Sequence, residues 1–170
     1  YICREELVSF LNASVGYGMH YIWDFGDGNF SSELHPDHEF SSNGFYDISL
    51  TVTDSFGCSS ILNLENYIQV LSPNANFSTL PLPSNCPPLI ADFTNLSSTD
   101  ASSFQWTFGD GSISSIENPT HLFSNSGVFD VSLIVENSFG CTDTIVQNGS
   151  VDLSGLVPMG SFIVSDTLVC

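Results

Sequence analysis

Two carboxylates and a histidine lie close together in the sequence and are the first candidates for chemistry. Asp24 and Asp27 flank Phe-Gly, and His38 follows eleven residues after Asp27. Carboxylates at short spacing can act as a general acid and a general base. An equivalent stretch 83 residues later keeps Asp110 but has Thr107 where Asp24 stands. Since one copy lacks the pair, we predict that Asp24 lies on a strand, that Asp27 lies in a hairpin turn, and that the chain holds no catalytic residue.

Two histidines, His38 and His121, occupy equivalent positions, each between a proline and a phenylalanine. No serine or cysteine recurs beside them in the elbow-like motif that a nucleophile needs. The other histidines, His20 and His35, have no counterpart in the second copy. We therefore predict that His38 and His121 pack and form hydrogen bonds within the fold.

Five cysteines recur at regular positions, which indicates disulfide bonds and an oxidising compartment. They are Cys3, Cys58, Cys86, Cys141 and Cys170. Our first choice pairs Cys3 with Cys58 and Cys86 with Cys141, and leaves Cys170 for a partner outside the chain. The pairs Cys58–Cys86 and Cys141–Cys170 are equally regular, and free structural thiols are a further possibility, so these alternatives stay open. Metal binding by the thiols is not predicted, because no Cys-x-x-Cys spacing occurs.

An internal repeat accounts for this regularity. Residues 21–60 and 104–143 align without a gap, and 20 of the 40 positions are identical. Cys170, with Ser161, Phe162, Ile163 and Val164 before it, matches the start of a third copy. We predict a first repeat over residues 1–71 that lacks its opening strand and a second repeat over residues 72–155. Residues 156–170 would form a linker and the opening strand of a third, truncated repeat.

The elements that must position these residues are predicted to be β-strands. Residues 46–53 alternate strictly between apolar and polar side chains, which is the period of a half-buried strand. Further strands are predicted at residues 21–25 and 104–108, with a closing strand at residues 67–70. Six or seven short strands and one central tryptophan in each repeat indicate an all-β fold of tandem immunoglobulin-like β-sandwiches.

A signature of five residues occurs in both repeats and resembles that of a known family. It comprises Trp23, Phe25, Gly26, Asp27 and Gly28, and then Trp106, Phe108, Gly109, Asp110 and Gly111. With the Pro-x-His-x-Phe stretch and the Gly-x-Tyr-Asp-Ile-Ser-Leu-Thr-Val strand, it resembles the PKD (polycystic kidney disease) repeat family. The resemblance is to the tandem, cysteine-containing version found in large secreted or surface proteins of Bacteroidetes-type bacteria. It implies an extracellular β-sandwich that acts as a spacer, an adhesive or a contact module, without catalysis.

Calcium is the one cofactor that we consider, because the 19 acidic residues offer oxygen ligands. Some members of the PKD family bind calcium through an Asp-x-Asp-Gly-like loop before the tryptophan strand. The corresponding segments here, residues 12–18 and 95–103, contain Asp100 as their only carboxylate. The metal ligands therefore stay unassigned.

The charge of the chain excludes two classes of partner. Nineteen acidic residues stand against one basic residue, Arg4, and give a formal net charge of −18. Nucleic-acid phosphates and anionic lipids are bound by clustered cations, so neither is a predicted partner. Membrane insertion is not predicted either, because no apolar run approaches the roughly 18 residues that a spanning helix needs.

Two functions follow as hypotheses. In the first, the repeats form part of the shaft of a long adhesin or filament at the bacterial cell surface, with neighbouring repeats or identical subunits as partners. Residues 161–166 would then complete a neighbouring sandwich, by strand addition or by simple succession. In the second, the repeats are an accessory module that holds a secreted hydrolase on a glycan or protein. The aromatic candidates for such contacts are Tyr17, Tyr21 and Phe30.

Overall fold

Alternating apolar side chains form the strands of this protein, and the strands form sandwiches around aromatic cores. The computed structural model describes residues 1–80 and 85–155. It contains two compact units. Among the described residues, the first comprises Tyr1–Asn74 together with Thr99–Ser102 and Glu136–Asp143, and the second comprises residues 75–80 and 85–98, Ser103–Val135 and residues 144–155.

Every regular element in the described residues is a β-strand, which confirms the predicted all-β class. No helix in these residues is long and apolar enough to cross a membrane. The strands are β1 Leu7–Ser9, β2 His20–Asp24, β3 Phe30–Ser31, β4 Asp37–Glu39, β5 Gly44–Thr53, β6 Ser59–Val70, β7 Phe77–Thr79, β8 Leu89–Asn95, β9 Ala101–Thr107, β10 Ile113–Ser114, β11 Thr120–Phe123, β12 Val128–Asn137 and β13 Thr142–Asp152.

The first repeat forms a four-stranded antiparallel sheet in the order β3-β2-β5-β6, with β1 and β4 as a separate pair. Trp23 of β2 lies opposite Leu50 of β5, and both side chains are buried. Side chains from both sheets meet in one core, where burial of apolar surface is the main stabilising contribution. The core residues are Phe10, Trp23, Phe25, Phe40, Ile48, Leu50 and Val70.

The second repeat has the same order of strands, β10-β9-β12-β13, opposite a three-stranded sheet β11-β8-β7. Its opening strand β7 pairs with β8, and Phe77 lies opposite Asn95. The buried ring of Phe77 packs edge-on against Trp106, with the ring centres 5.0 Å apart. β7 therefore closes the second core on the side of the tryptophan.

The first repeat has no such strand among residues 1–80 and 85–155, where β1 pairs with β4 alone. A cleft of about 720 Å³ opens there, lined by Phe10, Trp23, Ile48 and Leu50 among others. These are core residues, so the cleft is an open side of the first sandwich. The domain boundaries given above remain predictions.

Strand β6 is much longer than the closing strand that we predicted at residues 67–70. It spans Ser59–Val70 and pairs with β5 along most of its twelve residues. Most of its side chains are exposed, so the sequence shows little alternation there. At about 3.3 Å per residue, its two ends lie roughly 35 Å apart.

Candidate functional site

The signature residues of each repeat form one turn that is joined to a histidine. Gly26 adopts a φ of 74°, and a Cβ at this position would lie 2.5 Å from the carbonyl oxygen of Asp47. Only glycine fits this approach, because other residues would clash with the backbone of β5. Gly109 has the same geometry, with its Cβ position 2.6 Å from the Asp130 oxygen. The turn that follows holds Asp27 in one repeat and Asp110 in the other.

Each of these aspartates accepts a hydrogen bond from a histidine ring. Nε2 of His38 lies 2.8 Å from Oδ2 of Asp27, and Nε2 of His121 lies 2.7 Å from Oδ2 of Asp110. The ring of His38 stacks on Phe25, with the ring centres 4.1 Å apart and the planes within 8°. The prediction that the two histidines pack and form hydrogen bonds within the fold is confirmed.

The pKa of Asp27 reflects two opposing effects. Burial raises the pKa of this carboxyl, but hydrogen bonds from His38 and from the backbone and side chain of Asn29 outweigh burial and lower it below 3.8. The pKa of Asp110 is lowered in the same way by His121 and Ser112. These aspartates therefore stay ionised as acceptors that hold the turn and the histidine together.

The remaining candidates for chemistry lie in structural positions. Oδ1 of Asp24 accepts a hydrogen bond from the amide of Gly26 at 2.9 Å. The indole N–H groups of Trp23 and Trp106 donate to the carbonyl oxygens of Glu33 and Ile116. In the described residues, no group of three or more His, Cys, Asp or Glu side chains is placed to hold a metal ion.

The disulfide bond of the first unit joins Cys3 to Cys141, 138 residues apart in sequence. The two Cα atoms are 5.4 Å apart, within the range that a disulfide requires. Our predicted pairs Cys3–Cys58 and Cys86–Cys141 are therefore wrong. The alternative Cys141–Cys170 is wrong as well, since Cys141 is already bonded. Cys58–Cys86 is also wrong, because the exposed thiol of Cys58 is free.

Strand β6 explains why Cys3 and Cys58 cannot pair. Cys58 directly precedes the first residue of this strand. Cys3 lies beyond its other end, because Ile2 forms a parallel bridge to Val70 and its amide donates to the Gln69 oxygen at 2.9 Å. A separation of about 35 Å far exceeds the 7 Å Cα limit for a disulfide.

The turn that carries Cys141 is covered by the first four residues of the chain. The rings of Tyr1 and Phe139 lie 4.3 Å apart. Arg4, the only basic residue of the sequence, has its guanidinium 3.7 Å from the Asp143 carboxylate and donates to the Pro73 oxygen at 3.0 Å. Cys141 itself is 2% exposed. The disulfide is therefore set among aromatic and polar contacts.

The equivalent turn of the first repeat is uncovered. Phe56 is 90% exposed, whereas its counterpart Phe139 is 47% exposed. Cys58 opens into a cleft of about 350 Å³ that is also lined by Val15, Tyr17 and Met19. Sequence reasoning gave Cys58 a partner within its own repeat and so missed this surface.

The three aromatic candidates for ligand contact are not brought together in one row. Tyr17 is 93% exposed beside Cys58, and Phe30 is 65% exposed on the outer strand β3. Tyr21 is half-buried against the core of its sandwich. Cys170 and the predicted strand-addition residues Ser161, Phe162, Ile163 and Val164 lie outside the described residues.

Comparison with proteins of known sequence gives relatives among bacterial proteases. The chain is 33% identical over 138 residues to the pre-pro-metalloprotease PrtV of Vibrio cholerae, which covers 78% of this chain and 14% of that protein. It is 42% identical over 60 residues to a microbial collagenase of Vibrio alginolyticus, which covers 35% of this chain and 7% of that protein. The chain thus spans a small part of the length of these curated relatives.

Two solved structures resemble parts of the chain. The PKD1 domain of the V. cholerae metalloprotease PrtV is 32% identical, with a TM-score of 0.40, and covers 48% of this chain and 99% of that domain. The PKD1 domain of Vibrio anguillarum Epp is 30% identical, with a TM-score of 0.41, and the match covers 49% of this chain and 96% of that domain. The profile of the PKD domain matches two successive segments of this chain, residues 6–70 and 74–151. Because these segments make up most of the sequence, the chain belongs to the PKD domain family.

Proposed function

We propose that this chain is a non-catalytic accessory segment of an extracellular bacterial hydrolase of the protease class, in which it holds the enzyme on an insoluble protein substrate. The observation that carries the proposal is the similarity to PrtV, which extends over 78% of this chain and only 14% of that protein. A segment of this kind contributes binding, while the chemistry lies elsewhere in the longer protein.

The chemistry of the described residues supports a role without catalysis. Their recurrent aspartates and histidines are engaged with each other as parts of a turn. Their acidic and thiol side chains form no cluster that could hold a metal ion. The disulfide between Cys3 and Cys141 supports an extracellular location, since disulfides persist in oxidising compartments.

The outer strands β3 and β10 carry the surface that we assign to substrate contact. Each begins with a large apolar residue followed by serine, and Phe30 and Ile113 are 65% and 70% exposed. Each strand lies at the edge of its four-stranded sheet. Exposed apolar residues at repeated positions provide contacts for a neutral or basic protein surface, whereas the charge of −18 disfavours acidic surfaces.

Retention of the 170-residue chain on fibrous collagen tests this proposal, with chitin and cellulose as polysaccharide comparisons. We expect retention on collagen and a loss of about tenfold in affinity in a double variant with Phe30→Ala and Ile113→Ala. Tyr17→Ala is the matched control, because Tyr17 is an exposed aromatic residue outside these edges. Retention on polysaccharides alone, on none of the polymers, or with equal loss in the control would contradict the proposal.

One observation favours a second candidate function, the shaft of a surface adhesin or filament. The disulfide joins two residues that are 138 positions apart in the sequence, so a pulling force can bypass the chain between them, which suits a segment that carries load. We propose this role as the alternative. The gene of the longer protein distinguishes the two, because a long series of cysteine-bearing repeats would favour the shaft and a protease domain would favour the accessory segment.

A further inference from the structure

The two late-cysteine turns, Asp54–Cys58 and Asn137–Cys141, are built alike. Oδ1 of Asp54 accepts hydrogen bonds from the amides of Phe56 and Cys58 at 2.8 and 2.9 Å. Oδ1 of Asn137 accepts the equivalent two bonds at 3.0 Å each. Gly57 and Gly140 have φ angles of 87° and 84°. The backbone that presents the cysteine sulfur is therefore the same in both repeats.

The two turns differ in what lies on them. At the second turn, Cys3 is bonded to Cys141, and Tyr1 packs on Phe139. At the first turn, the thiol of Cys58 is free and exposed, and the ring of Phe56 is 90% exposed. The turn in the first repeat thus has the form of a disulfide partner without the segment that its counterpart binds.

The surface around Cys58 suits an apolar segment. Val15, Tyr17 and Phe56 are each at least 90% exposed, and Val15, Tyr17 and Met19 line the cleft beside the sulfur. Contiguous exposed apolar groups of this kind mark contact surfaces. Two apolar residues precede the early cysteine in Tyr1-Ile2-Cys3 and in Leu168-Val169-Cys170, whereas Ser84-Asn85 precede Cys86.

We propose that the Cys58 turn binds the early-cysteine segment of another copy of this repeat, placed one repeat earlier in the array, and forms a disulfide with it. The occupant is thus the counterpart of Tyr1-Ile2-Cys3, and the bond is the counterpart of Cys3–Cys141. Each repeat would then be stapled to the next by a bond between its early cysteine and the next repeat's late cysteine. This inference does not depend on the proposed hydrolase role.

The bond forms by oxidation of two thiols. Two S–H bonds break and one S–S bond forms, while a small-molecule disulfide such as oxidised glutathione accepts the two electrons and two protons. That oxidant becomes two molecules of reduced glutathione. The exposed thiol of Cys58 is open to this exchange.

The experiment adds a copy of residues 1–83 in front of the full 170-residue chain. The early cysteine of the added copy then precedes Cys58 of the original chain by 138 residues, the separation between Cys3 and Cys141. Ile61→Val in the added copy gives its late-cysteine peptide a different mass. After refolding in a glutathione buffer, free thiols are alkylated, and the chain is cut at acidic residues without reduction for mass spectrometry.

We expect a linked peptide that contains the added copy's early cysteine and the unmarked peptide with Cys58 of the original chain. Cys58 of the original chain should then be almost completely protected from alkylation. Phe56→Ser should slow formation of this link by about fivefold, because it removes the aromatic contact that Phe139 makes in the second turn. The 170-residue chain alone is the matched control, in which Cys58 is alkylated and the Cys3–Cys141 link is present.

Three outcomes would overturn the inference. The first is full alkylation of the original chain's Cys58, on the unmarked peptide, in the extended chain. The second is a link from the added copy's early cysteine to the marked peptide of its own repeat. The third is loss of the Cys3–Cys141 link, which would remove the arrangement from which the inference starts. None of these outcomes bears on retention by collagen, so the two proposals fail separately.

Discussion

The turns that end in Cys58 and Cys141 share four residues, Ser-Phe-Gly-Cys, and the same hydrogen bonds, yet one sulfur is exposed and the other buried. The local sequence fixes the local backbone in both. The difference comes from Tyr1–Arg4, which cover the second turn and have no counterpart on the first among the described residues. Whether a late-turn cysteine is bonded and buried therefore depends on whether another segment of the chain packs on its turn.

The largest expected effect tests the cross-link itself. Cys3→Ser should lower the free energy of unfolding by about 5 kcal/mol in the chain-entropy model, because the bond closes a loop of 138 residues. Cys58→Ser, the matched control, should change it by less than about 0.5 kcal/mol. Urea denaturation without reductant measures both. Equal losses in the two variants would show that the cysteines are not different in the way described.

A smaller effect is expected where the two repeats agree. A double variant with Asp27→Asn and Asp110→Asn should lose about 2 to 5 kcal/mol in total, since each carboxylate accepts a charge-assisted bond from a histidine. The single variants Asp27→Asn and Asp110→Asn should lower the free energy of unfolding by amounts similar to each other, each about half of that total. A loss confined to one repeat in urea denaturation would mean that the two signature turns are not equivalent.

Because of the same two aspartates, Asp27 and Asp110, we expect the stability of the protein to depend on pH. Because the pKa of Asp27 and that of Asp110 are lowered in the folded state, their contribution is complete above the unfolded value of about 3.9 and is lost as the pH falls through the folded values. Unfolding midpoints measured between pH 5 and pH 2 should therefore fall more steeply for the native chain than for the double asparagine variant. Parallel curves would contradict this assignment.

The capping residues of the late turns allow a finer test. Asn137 uses its amide Nδ2 to donate to the Leu71 oxygen at 3.3 Å, and Asp54 has no such donor. Asn137→Asp should cost about 1 kcal/mol, because it removes this bond and keeps the two turn bonds. Asp54→Asn should change stability by less than about 0.5 kcal/mol in this chain. Thermal unfolding measures the loss of stability in both variants. A larger loss in Asp54→Asn than in Asn137→Asp would contradict the prediction.

The smallest effect concerns the aromatic contact on the second turn. Phe139→Ser should cost about 1 kcal/mol, because the ring packs on Tyr1 and is 47% exposed, far less than Phe56. Phe56→Ser should cost less than about 0.5 kcal/mol, since that ring is 90% exposed. Urea denaturation distinguishes them, and a larger loss at Phe56 would contradict the description of the uncovered turn.

Much of the fold is predictable from the sequence because its strands are half-buried. Ile48 and Leu50 alternate with polar residues in β5, and Val131, Leu133 and Val135 do so in β12, which marks the faces that point into the cores. The recurrence of Trp-x-Phe-Gly-Asp-Gly identifies the family. These features depend on side chains whose burial repeats with the period of a strand.

The pairing of the cysteines could not be predicted in the same way. β6 is held by hydrogen bonds to β5 while most of its side chains face solvent, so the sequence from Ser59 to Asn66 shows no strand period. A pairing of Cys3 with Cys58 within one repeat therefore meets no obstacle in the sequence, although the full length of β6 separates the two cysteines. The hydrogen bond between Asp27 and His38 was missed for a related reason, since only the folded sheet brings residues eleven positions apart together.

The position of the disulfide has a mechanical consequence. When the two ends of the chain are pulled apart, the tension passes from Cys3 directly to Cys141, and the residues between them carry none of it. Extension by unfolding is shortened by about 470 Å, the length of 138 residues drawn out at roughly 3.4 Å each. Reduction of this one bond would restore that length, so the redox state of the surroundings sets how far the chain can stretch.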